Sequence, residues 1–122
     1  MSSLNPEPTE ALRRDLRNAL IKLLRGVALP HKHEATRRLF AEVSGRHADT
    51  CPRSAETLVL TLQPHLETRR DVVAVVGLIA QVLRETPLKG RDLASEWTTA
   101  ANDAFRSHGA PWRFDRGSLI QV

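Results

Sequence analysis

The stretch at residues 71–83, Asp-Val-Val-Ala-Val-Val-Gly-Leu-Ile-Ala-Gln-Val-Leu, is the most apolar run in the chain, and any fold must give it a buried place. Its polar members are only Asp71 and Gln81, so as a helix it is apolar nearly all round and needs neighbours on most sides. It falls short of the roughly 20 apolar residues that cross a bilayer. The valines also suit a buried strand, because a short apolar run does not declare its period. Length and punctuation favour the helix. Continued through Arg84 and Glu85 the run outgrows a typical strand, Pro87 stops it, and Thr68 with Asp71 three residues on opens it as a Ser/Thr-x-x-acid cap. Gly77 costs about 1 kcal/mol in helix propensity, so its place in mid-helix predicts another helix crossing closely there.

Four further helices can be read around this one. Asn5-Pro6-Glu7 and Thr9-Glu10 both offer starts for the first, which runs to Arg25 with Gly26 as terminator. Leu12, Leu16, Leu20, Leu23, Leu24 and Val27 share one face at three- and four-residue steps, with Arg14, Arg17, Lys22 and Arg25 away from it. Ile21 falls amid the basic face, as a scattered apolar residue or as an anchor for a partner. After Pro30 a second helix spans 32–43 with Ala35, Leu39, Phe40 and Val43 inward, and Gly45 closes it. Ser54 opens a short third helix carrying Leu58, Leu60 and Leu62, which Pro64 should end or kink. The last helix covers 92–107 with Leu93, Trp97, Ala101, Ala104 and Phe105 on one face. The period then changes. Trp112, Phe114, Asp115-Arg116-Gly117, Leu119, Ile120 and Val122 form a hairpin with the glycine in its turn. The expected fold is therefore all-α or mainly α: about five helices in one domain over 1–122, with a polar lead-in at 1–8 and a hairpin tail at 110–122.

At 122 residues and 41% hydrophobic composition the chain can bury a core without metal or disulfide support. The single cysteine, Cys51, excludes an internal disulfide and fits a reducing, cytoplasmic setting. Residues 1–9 show neither a signal-peptide pattern nor a membrane anchor. The net charge of +4 suits phosphates or an acidic partner, but basic and acidic residues are interspersed and no segment is a polybasic arm.

Chemistry is harder to find. His31, His33, His47 and Cys51, with His65 further on, have the ligand types of a tetrahedral zinc site, and Cys51 with a histidine could make a nucleophile and base. Against both, paired short-spaced cysteines are missing, as are a Gly-rich phosphate loop and a nucleophile elbow. No catalytic residue, metal ligand or cofactor is expected from the sequence, and a small zinc protein or Cys/His enzyme is the last of three readings.

The first reading is a non-enzymatic accessory subunit that contacts an RNA or DNA backbone without base specificity. It would use Arg13, Arg14, Arg17, Lys22 and Arg25 on the first helix, Arg37 and Arg38 on the second, and Arg69 and Arg70 before the central one. Arg113 and Arg116 in the tail complete the set. The connection from Val43 to Ser54 is too long for a helix-turn-helix, and aromatics at 4% are too few for a base-stacking platform. The second reading is a protein adaptor or regulatory subunit in a larger complex. It would dock through the first helix, Ile21 included, and through Trp112 and Phe114 of the tail, although those two rings also suit clamping the tail onto the helices. A membrane is not among the expected partners.

Overall fold

The computed structural model describes residues 9–67 and 72–122. The lead-in at 1–8 and the segment holding Thr68, Arg69, Arg70 and Asp71 lie outside the described residues, and with them the expected cap of the central helix.

Helix α1 (Glu10–Arg25) starts at Thr9, whose hydroxyl accepts the Leu12 N–H at 3.1 Å, and buries the leucine stripe from Leu12 to Leu24. A 3-10 turn (Pro30–Lys32) leads into α2 (Glu34–Ser44). This helix starts two residues later than the sequence suggests, because the chain after Pro30 first winds into the tighter turn. Gly45, with φ of 75°, ends it in the left-handed region.

A second 3-10 turn (Ala48–Thr50) precedes α3 (Ala55–Glu67), capped by the Ser54 hydroxyl accepting the Thr57 N–H at 3.1 Å. Pro64 does not end the helix, which runs on to Glu67 with the proline inside it. The hydrogen bond that proline removes is the one to the Leu60 carbonyl. Leu60 lies on the exposed side of α3, where water can serve that oxygen, while Leu58, Val59, Leu62 and Leu66 hold the other side in the core.

The apolar run forms a helix, α4 (Val72–Glu85), and not a strand. It is less enclosed than its composition suggests. Val72, Val76, Ile79, Ala80, Val82 and Leu83 are buried, whereas Val73, Val75 and Leu78 are half-buried and Ala74 is exposed. Helix α5 (Leu93–Ser107) is capped by Asp92, whose carboxylate accepts the Ser95 N–H at 3.1 Å. Its Trp97 is fully buried and donates its indole N–H to the Val76 carbonyl at 3.1 Å, pinning α5 to α4.

The tail pairs as β1 (Trp112–Asp115) with β2 (Ser118–Gln121), antiparallel, with Phe114 opposite Leu119. Its two-residue turn, Arg116-Gly117, has φ of 52° and 82°, the backbone signature of a tight I′ turn. Trp112, Phe114 and Leu119 pack against the helical core, with the Trp112 ring 6.0 Å from that of Phe105. The Asn102 side chain also brackets Phe114, donating to its carbonyl at 3.1 Å and accepting its N–H at 2.7 Å. Gly77 faces this tail. A Cβ there would stand 3.8 Å from Leu119, so the expected close helix crossing is replaced by an ordinary contact with the hairpin.

All five helices contribute to one cluster of buried side chains. Helix α1 packs on α3 and α5, α2 on α4 and α3, and the hairpin rides on α5 through β1. No described helix is long and apolar enough to cross a membrane.

Candidate functional site

Outside its leucine stripe α1 carries Glu10, Arg14, Arg17, Ile21 and Arg25 at steps of three and four residues, with Ile21 half-buried against the edge of the core. Beyond Gly26 the chain bends through Val27, Ala28 and Leu29 before reaching Pro30. Leu29 has φ of 52°, a left-handed conformation that costs a residue with a Cβ about 1–2 kcal/mol, and it sits before a proline, which favours extended backbone. The surroundings hold it there. The Leu29 carbonyl accepts the Lys32 N–H at 2.9 Å, the His33 ring bonds the Ala28 carbonyl at 3.1 Å, and the buried Thr36 hydroxyl donates to the Pro30 carbonyl. The result is a large apolar side chain held 52% exposed.

Leu29 faces the outer side of α3. Ile21 and Leu29 on one wall and Ala55 and Leu60 on the other, together with the buried Val27 and Val59, line an open groove of about 550 Å³. Leu60 is 67% exposed, so the groove is a surface trough and not a sealed cavity. Arg25 and Arg53 flank it, and Glu56 is the one acidic residue along its lining. The first turn of α3 begins at this edge, adding the partial positive charge of a helix N-terminus.

The corner carries an electrostatic signature. His31, two residues after Leu29, has its Nδ1 buried with no hydrogen-bond partner among the described residues. Its pKa is pushed below the ordinary histidine value by burial first, and then by Arg53, Lys32 and Arg37. The positive potential of these three cations is the second cause of the shift.

The arginines named from the sequence do not form one track. Arg13, Arg14 and Arg17 gather with Glu10 around a cup of about 360 Å³ on the first half of α1. Lys22 lies on another side, in a trough shared with Glu96 and Asp103 of α5. Arg37 pairs with Asp49 at 2.6 Å and Arg38 with Glu85 at 3.1 Å, and the Gln81 and Arg38 hydrogen bonds hold Glu85 below the usual carboxylate range. Arg113 donates to the carbonyls of Ala110 and Trp112, within its own strand and approach. Arg116 sits in the hairpin turn, and Arg69 and Arg70 lie outside the described residues. Exposed pairs of this kind contribute only about 0–1 kcal/mol. Placement on several faces, more than pairing strength, keeps these cations from acting together.

Of the residues considered as protein anchors, all three pack partly against the core, and Ile21 alone of them also lines the groove. The exposed apolar side chains of the tail are instead Ile120 and Val122. The histidines and Cys51 do not converge: no group of three or more potential metal ligands occurs among the described residues. The His47 ring accepts the Asp49 N–H, and Cys51 is buried against the Thr36 carbonyl with its thiol pKa raised by burial.

Sequence reasoning missed Leu29, Arg53, Val59 and Leu60. Leu60 had a usable signal, since it falls off the face shared by Leu58, Leu62 and Leu66. Leu29 had none, because its exposure follows from a backbone conformation set by contacts with Thr36 and His33. Compared with known protein families, with curated proteins and with solved structures, the chain matches none.

Proposed function

We propose that this protein is a non-enzymatic adaptor module whose docking surface is the groove between the end of α1 and the outer face of α3. The observation that carries the reading is the pairing of Leu29 and Leu60, two of the four large apolar side chains left exposed among the described residues, on opposite walls of one trough. An apolar residue held in a left-handed conformation at the surface costs stability without filling the core, which is the pattern of a site kept for contact. Full burial of a leucine is worth about 1.5–3 kcal/mol, so covering the exposed parts of these two contributes roughly 2–3.5 kcal/mol toward docking. The dispersal of the arginines weakens the alternative of a nucleic-acid backbone track, which needs several cations along one path.

The test compares wild type with Leu60→Asp, an exposed position where a charge leaves the core untouched. Proteins recovered from the source cell by tagged wild type are expected to be lost with Leu60→Asp, at unchanged unfolding midpoint. If instead the variant keeps every partner, and Arg14→Glu with Arg17→Glu abolishes salt-dependent binding to generic RNA, the nucleic-acid reading replaces this one.

A further inference from the structure

Resting on the docking reading, we propose that the occupant of the groove is an amphipathic helix of a protein partner, with apolar residues on one face and acidic residues along its flanks. The apolar half follows from the floor and walls, where Ile21, Val27, Leu29, Val59 and Leu60 offer no hydrogen-bonding side chain. With Leu29 and Leu60 more than half exposed, a small ligand would remain largely wet, whereas a helix laid between the loop after α1 and the α3 wall covers both at once.

The acidic half follows from charge. Arg25 and Arg53 stand on the rim against the single Glu56, and the N-terminus of α3 adds its positive end. The depressed pKa of neighbouring His31 reports in part the same field, since Arg53 is the first of the cations acting on it. A second copy of this chain fits less well: two such grooves face to face would bring Arg25 and Arg53 against their own kind.

The experiment measures fluorescence anisotropy with two labelled peptides of about 18 residues, roughly 27 Å as helices. Both carry leucines at i, i+3, i+4 and i+7 spacing; one has glutamates at all other positions and the other lysines. The full chain is expected to bind the glutamate peptide at least about tenfold more tightly than the lysine peptide, a difference of roughly 1.4 kcal/mol. The preference should collapse at about 1 M salt, where the Debye length falls to roughly 3 Å. Leu60→Asp should remove binding, and the double variant Arg25→Glu with Arg53→Glu should reverse the order of the peptides. Equal affinity for the two peptides, no binding of either, or binding indifferent to Leu60→Asp overturns the proposal. So does a groove-dependent dimer in sedimentation, or Leu60-dependent binding of single-stranded RNA. If Leu60→Asp loses its cellular partners while the wild type ignores the glutamate peptide, the docking reading stands and the acidic helix falls.

Discussion

Leu29 concentrates the account at the scale of one residue. Its left-handed backbone favours glycine or asparagine, yet a leucine occupies it and points into the groove. Leu29→Gly relieves about 1–2 kcal/mol of backbone strain and gives up a half-buried side chain worth about 1 kcal/mol, so urea denaturation should show a net change within about 1 kcal/mol. Leu24→Ala, in the core one turn earlier, should cost about 2–5 kcal/mol by the same measurement. A large loss at Leu29 would mean that its side chain serves the fold. Gly77 gives the opposite case, a glycine whose conformational freedom is not used. With 3.8 Å to Leu119 an added methyl fits, and Gly77→Ala should stabilise by about 0.5–1 kcal/mol; destabilisation would show the hairpin seated more tightly than an ordinary contact. Cys51, 7% exposed and with its thiol shifted toward the protonated form by burial, should react with a thiol reagent only when the protein unfolds.

The elements show what could be read from the sequence and what could not. The leucine stripe of α1, the helical nature of α4, the apolar face of α5 and the hairpin with its glycine turn follow from period and punctuation, which are local properties. What escaped was tertiary. Pro64 inside α3 is tolerated because its missing donor falls on the solvent side, and the residue lying over Gly77 comes from a strand some forty positions away. The groove belongs to this second kind, since among its lining residues only Ile21 and Arg25 stand out as contact candidates in the sequence. The loop that builds it has a testable titration. His31 has a folded pKa below its unfolded value, so the unfolded state binds the extra proton. Stability is then fully present above about pH 6.5 and declines as pH falls through the folded value. The urea midpoint should therefore drop between about pH 7.5 and about pH 5.5, and His31→Gln should lessen that drop. A profile unchanged by the substitution would show that the buried Nδ1 is not the group responsible.

Across the whole molecule, core and contact surface divide the helices between them. Helix α3 turns one face to the common core and keeps Leu60 on the other, with Leu29 exposed beyond the end of α1, while α4 and α5 use their aromatics and valines to hold the bundle and its tail. Cations are spread over several faces of the +4 chain and not gathered along one path, and two of them, Arg25 and Arg53, stand at the groove. Docking at that groove is most directly tested by mapping amide chemical shifts of isotope-labelled protein as the glutamate peptide is added. The account predicts changes concentrated at residues 21–29 and 53–63, with little at Arg37, Arg38 or the hairpin. Changes centred on the hairpin or on α2, with the groove silent, would contradict it.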